Sequence, residues 1–142
     1  MKTNPVILSK LDLEATDSGW RLTSEFRAWV PPALISVPKG FPTDLASARI
    51  GNWQLMGNTR EAAVVHDYLY ATGERGKIGA DWAFYILLRA AKIGRFKAGL
   101  YAGAVLLFGQ GAYRAHRRGN TAAVRFLRLL HGDGFASVEN LP

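Results

Sequence analysis

From Trp20 onward the apolar and polar positions alternate, with Trp20, Leu22, Phe26, Ala28 and Val30 set against Arg21, Thr23, Glu25 and Arg27. A period of two marks a strand with one buried and one solvated face, because successive side chains of an extended chain point to opposite sides. Thr16-Asp17-Ser18-Gly19 is a turn signal, and an earlier strand around Val6 to Leu13 should pair across it. Pro31-Pro32 ends the strand, and a short extended piece at Leu34 to Val37 leads into the loop Pro38 to Asp44.

Beyond that loop the pattern turns helical. Asn58 with Glu61 three residues later resembles a capping box and opens a helix from about Thr59 to Ala71. Thr72-Gly73 and the charged stretch to Gly79 break the chain; a second helix, about Ala80 to Ile93, carries Trp82, Phe84, Tyr85, Leu87 and Leu88. A third helix is predicted from about Phe96 to Arg117 and a fourth from Thr121 to Leu130. The fold class is α+β: a small N-terminal antiparallel β-meander over about 5–45, packed on a C-terminal bundle of about four helices over about 58–131. Residues 1–142 form a single domain that ends in a short tail.

The third helix has two readings. From Ala98 to Tyr113 only Gln110 is strongly polar, and basic residues stand on both sides. The stretch is shorter than the roughly 20 residues that span a bilayer. It is therefore either a buried core helix or an interfacial, membrane-binding segment, and Gly99 and Gly103 have the spacing that lets helices approach closely.

Composition adds three constraints. The absence of cysteine removes disulfides and thiolate metal sites, so any metal must be held by oxygen or imidazole. Met1 to Lys10 has no apolar run of the length a secretion signal needs, so a virion-associated protein or one of the host cytoplasm is expected. Residues 1–85 balance nine Lys or Arg against nine Asp or Glu, so the whole net charge of +7 sits in 86–142. Such a field draws the chain towards anionic partners such as a phospholipid surface or nucleic acid, or serves solubility alone.

The candidate chemistry begins at His66-Asp67, in Ala62-Ala63-Val64-Val65-His66-Asp67-Tyr68-Leu69-Tyr70. Neighbours on a helix point about 100° apart, so the two divide labour: the imidazole addresses one side of a cleft and the carboxylate a nearby metal. Tyr70, four residues on, shares the face of His66. Histidine suits a general base at neutral pH, and it needs a carboxylate on its far nitrogen to orient it. Asp81, at the start of the next predicted helix, could fill that role or could simply cap the helix. Asp44 lies in a loop of the kind that offers oxygen to a hard cation, with Gly40 allowing close approach; equally, it could cap a turn through Ser47. His116 and His131 stand in basic, polar surroundings and read as surface residues.

Two resemblances attach to these residues. The blocks Val37-Pro38-Lys39-Gly40-Phe41-Pro42-Thr43-Asp44-Leu45-Ala46-Ser47, His66-Asp67-Tyr68-Leu69-Tyr70 and Ala80-Asp81, within about 20–95, resemble the signature of a phage and prophage family catalogued as a domain of unknown function. The core His66-Asp67 with Tyr70, then Ala80-Asp81 with Phe84, is similar to the phospholipase A2 superfamily, particularly its viral capsid-borne branch. That likeness implies His66 as the base that activates water, Asp81 as its orienter, Tyr70 bonded to Asp81, and Asp67 as a ligand of Ca2+ that polarises an ester carbonyl. The superfamily's Gly-rich calcium loop has no clean counterpart; Gly51-Asn52, Gly57-Asn58 and Lys39-Gly40-Phe41 are the options.

The expected function is therefore a phage-encoded, calcium-assisted ester hydrolase of phospholipase A2-like type, working at an anionic phospholipid surface. The alternative is a non-catalytic virion component, such as a tail-tip or tail-assembly protein, with other phage structural proteins as partners and the His-Asp cluster as a buried polar network. Nucleic acid is a third partner. Arg114, Arg117, Arg118, Arg125 and Arg128 suit phosphate contact, but no nucleic-acid-binding motif accompanies them.

Overall fold

One continuous register runs through the N-terminal third. The computed structural model describes residues 3–45, 49–50, 53–54, 59–119 and 121–132. Ser47, Gly51-Asn52, Gly57-Asn58 and the C-terminal tail lie outside the described residues. Strand β2 (Leu13–Thr16) pairs antiparallel with β3 (Gly19–Leu22), Leu13 opposite Leu22 and Thr16 opposite Gly19. Strand β1 (Val6–Ile7) pairs in the same register with β4 (Phe26–Val30), Val6 opposite Trp29. The predicted hairpin across Thr16 to Gly19 is thus present, but each arm is interrupted midway. Side chains replace ladder bonds there: Ser9 Oγ accepts from the Arg27 amide at 2.7 Å and Asp12 accepts from the Ser24 hydroxyl at 3.4 Å.

The third arm extends the meander. Strand β5 (Ala33–Val37) returns along β4 after Pro31-Pro32, and β6 (Pro42–Thr43) pairs with β3, Trp20 opposite Thr43. The interruption divides the meander into two three-stranded sheets of order β1-β4-β5 and β2-β3-β6. The expected single strand from Trp20 to Val30 is accordingly two strands in two sheets. Its alternation survives the break, since Leu22, Phe26, Ala28 and Val30 are all fully buried. A small ribbon, β7 (Arg49–Ile50) with β8 (Trp53–Gln54), follows.

Helix α1 (Thr59–Thr72) is the centre of the helical half. Every residue from Ala62 to Thr72 is buried except Tyr68, which is half-buried. It packs on α2 (Gly76–Ala90), α4 (Gln110–Arg117), α5 (Ala122–His131) and β5. Between α1 and α2, the Arg75 guanidinium donates to the carbonyls of Val30 and Pro31 at 2.5 and 3.2 Å and so ties the helix pair to the meander. The α+β architecture of a β-meander on a helical half is the one the sequence implies.

Two helix expectations are corrected. Helix α2 starts at Gly76, one turn before Ala80: Gly76, at a left-handed φ of 67°, turns the chain into the helix, and Gly79 already lies in its first turn. The third predicted helix is two helices, α3 (Arg95–Phe108) and α4, which meet at Gly109. A Cβ at Gly109 would sit 2.7 Å from the Tyr70 hydroxyl and 2.3 Å from the Val105 carbonyl, so the junction needs a residue without one. Nor is α3 a buried core helix: Ala98 and Tyr101 are its buried residues, and nothing lies within 4 Å of a Cβ placed on Gly99 or Gly103. Among the described residues no helix is long and apolar enough to cross a membrane.

Candidate functional site

Helices α1 and α2 bring His66, Tyr70, Lys77 and Asp81 together between them. His66 and Tyr70, one turn apart on α1, face the same carboxylate oxygen: His66 Nε2 lies 2.6 Å from Asp81 Oδ1, and the Tyr70 hydroxyl donates to that atom at 2.7 Å. The second oxygen, Asp81 Oδ2, accepts from Lys77 Nζ at 2.6 Å. Asp81 therefore lies well inside α2, with its carboxylate spent on three side chains, and is not the cap at a helix start that its expected position allowed. The His66 ring packs at 4.1 Å from Tyr70 and 5.2 Å from Phe84, centroid to centroid, which holds its plane.

Lys77 has no signal in the sequence, where it stands in the charged stretch between the first two predicted helices. Besides Asp81, its ammonium donates to the Val105 and Leu106 carbonyls at 3.1 and 2.9 Å, satisfying the open end of α3. Arg117 plays the same part for α1, donating to the Tyr70, Ala71 and Thr72 carbonyls at 2.8, 2.5 and 3.4 Å. It was grouped among basic residues suited to phosphate; here its guanidinium is engaged with backbone.

Burial works against charge on both members of the dyad, and the outcomes differ. Burial alone would raise the Asp81 carboxyl, but hydrogen bonds from His66, Lys77 and Tyr70 outweigh it and hold Asp81 below the usual carboxylate range. Burial lowers His66 below its ordinary value, and the opposing pull of Asp81 does not make it up. Burial, then the bond to Asp81, pushes Tyr70 upward. At neutral pH the set is thus an ionised Asp81 and a neutral His66. A carboxylate can only accept, so His66 carries its proton on Nε2 and its basic lone pair on Nδ1.

Asp67 points the other way from α1, as its 100° offset requires, into a cavity of about 250 Å³ between the meander and the last two helices. Thr43, Asp44, Asp67, His116 and Thr121 line this cavity, with alanines from α4 and α5 beside them. The Thr43 hydroxyl donates to Asp67 and accepts from the Leu45 amide at 3.1 Å, which joins the loop after β6 to α1. Gly40 is not part of this lining. It occupies a turn at φ 88°, donates its amide to the Leu22 carbonyl at 2.8 Å and lies under the Phe126 ring.

Residues 20–105 match the family described as "Protein of unknown function (DUF1353)". The chain belongs to that family. No curated protein and no solved structure matches it. The matched stretch of the DUF1353 domain runs from β3 into α3 and holds Asp44, His66, Asp67, Tyr70, Lys77 and Asp81, while His116 and Thr121 lie beyond it.

His116 corrects the expectation of a surface histidine. It is half-buried on α4, its Nδ1 is 2.8 Å from Thr121 Oγ1, and its ring stands edge-on to Tyr70 at 6.1 Å. Thr121 Oγ1 also accepts from the Val124 amide at 3.3 Å and so caps α5. Burial pulls His116 down to about 4, against the nearby Asp44 carboxylate. Nothing local in the sequence signals this, because α4 reaches the cavity only through the bend at Gly109. His131 is exposed, as read.

Asp44, Asp67 and the Thr43 hydroxyl are hard oxygen donors lining one cavity, the donor chemistry that Ca2+ takes. Among the described residues no group of three His, Cys, Asp or Glu is arranged to hold a metal.

Proposed function

We propose that this DUF1353 domain is an ester hydrolase of phospholipase A2-like type in which His66 activates water. The observation that carries this reading is the double use of Asp81 Oδ1 by His66 Nε2 and the Tyr70 hydroxyl, which fixes a neutral imidazole with its lone pair on the far nitrogen. Nδ1 takes a proton from water as the oxygen attacks the ester carbonyl. The imidazolium so formed is stabilised by Asp81, and it returns the proton to the departing alkoxide, leaving a carboxylic acid and an alcohol. Lys77 holds Asp81 from its other oxygen, so that the carboxylate cannot swing away when His66 becomes charged. Asp67 and Asp44 would hold Ca2+, which when bound supplies polarisation of the carbonyl.

The test is fatty-acid release from phosphatidylglycerol vesicles in millimolar Ca2+, with calcium calorimetry on the same samples. Loss of a positioned general base costs roughly 10²–10⁴-fold, so His66→Asn should lower release by about that factor. Asp67→Asn should abolish calcium binding and leave the fold intact.

A second reading is favoured by one observation: His66 is only 3% exposed, and the cavity is lined by its neighbour Asp67. On that reading the His66-Asp81-Lys77 cluster is a polar lock between α1, α2 and α3 in a non-catalytic phage virion component. No release from wild-type protein, together with a large loss of stability in His66→Ala, would favour it.

A further inference from the structure

Helix α3 is apolar all round, yet it buries one stripe, centred on Ala98 and Tyr101 with Ala102 and Val105 beside them. At 100° per residue, Phe96, Leu100, Gly103 and Leu107 follow the spacing i, i+4, i+7, i+11 on the opposite side. Phe96 is 81% exposed, Leu100 53% and Leu107 73%. A contiguous apolar stripe of this kind on a surface marks a docking site.

The charges around the stripe say what docks there. Arg95 and Lys97 are exposed and flank Phe96 on its two sides. Cations in the first turn oppose the helix dipole, so they do not serve the helix itself. From Arg95 to Gly132 the chain holds seven Lys or Arg and no Asp or Glu. A second copy of the chain would bring two like-charged stripes together. A surface of lipid phosphates complements the charge, and its acyl layer complements the stripe.

We propose that α3 is a peripheral docking helix for an anionic phospholipid bilayer, with Phe96, Leu100 and Leu107 buried among the lipid chains and Arg95 and Lys97 on phosphates. The helix has 14 residues, about 21 Å at 1.5 Å per residue. It is too short for the roughly 30 Å hydrocarbon core, so it lies in the interface without spanning it. The basic side chains keep their heads in the phosphate layer while their stems cover the edge of the stripe. This docking does not depend on the hydrolase reading, and it is read by binding alone.

The experiment is co-sedimentation of the full chain with equimolar phosphatidylglycerol–phosphatidylcholine vesicles and with pure phosphatidylcholine. Wild type should partition onto the anionic vesicles and not the neutral ones, and Phe96→Ser with Leu107→Ser should weaken this by about tenfold or more, since two large apolar groups no longer insert. Arg95→Gln with Lys97→Gln should weaken it severalfold, as should 0.5 M salt. The chain has no cysteine, so Leu100→Cys accepts a single environment-sensitive label, which should shift to the blue on vesicle binding. Equal binding to both vesicle types, no binding to either, or an unshifted label on bound protein would overturn the proposal. So would a dimer seen by ultracentrifugation that the Ser substitutions dissolve, which would assign the stripe to a second copy.

Discussion

Helices α1 and α3 have the same length, and the more apolar of the two is the more exposed. Helix α1 carries Arg60, Glu61, His66 and Asp67, yet the meander and three other helices enclose it. Helix α3 has only Arg95 and Lys97 as charges, both in its first turn, yet its outward stripe meets solvent. Burial is thus set by where a helix falls in the layering. The buried His66 and Asp67 of α1 each meet a polar partner, Asp81 for His66 and Thr43 for Asp67. The surplus apolar surface of α3, at Phe96, Leu100 and Leu107, faces away from the described core.

The sharpest way to break this contrast is to remove the hub of the enclosed region. Asp81→Ala leaves the Lys77 ammonium, the His66 ring and the Tyr70 hydroxyl facing a buried gap. Breaking a buried pair by removing one partner costs about 3–5 kcal/mol, so the thermal midpoint should fall steeply. A midpoint within a degree or two of wild type would mean that the cluster does not hold α1 and α2 together.

Acidity probes the same region more gently. The folded chain binds protons on His66 and His116 less readily than the unfolded chain does. The unfolded chain therefore gains more protons as the pH falls below about 6.5, and stability that is complete above that value is lost on the way down to about 4 for His116. Asp81 acts in the same direction in a more acidic window, below the ordinary carboxylate value of 3.8. Melting curves at stepped pH should show this decline, and His116→Gln should flatten its upper part. A curve unchanged by the substitution would remove His116 from the buried site.

The smallest effect belongs to the exposed helix. Leu107→Ser changes a side chain 73% open to solvent, and its stability should stay within about 0.5 kcal/mol of wild type in urea titration. A loss of several kcal/mol would show that the α3 stripe is packed after all.

Much of this architecture was legible in the residues. Alternation from Trp20 to Val30 and the Thr16 to Gly19 turn defined the meander, because a period of two and a turn are local properties. Its division into two sheets was not, since it depends on Ser9 and Asp12 reaching backbone and side chain across the hairpin. The shared face of His66 and Tyr70 was legible because one-turn spacing on α1 is fixed geometry, whereas the bond of Tyr70 to Asp81 was implied only by the phospholipase A2 resemblance. Lys77 was missed because glycines on both sides hid the start of α2, and His116 because its place is tertiary. The burial of α3 stayed open between two readings for a related reason: an apolar helix needs a partner, but its sequence does not say whether that partner is the rest of the chain.

The arrangement at Asp81 makes one statement about His66 that can be read directly. Long-range 15N–1H correlation spectra of uniformly labelled protein at pH 7 report which ring nitrogen carries the proton. The account predicts a neutral His66 at pH 7, with Nε2 protonated and Nδ1 unprotonated, altered in Asp81→Asn. A proton on Nδ1 alone, or a doubly protonated ring at pH 7, would contradict it, since Nδ1 would then have no lone pair to offer to water.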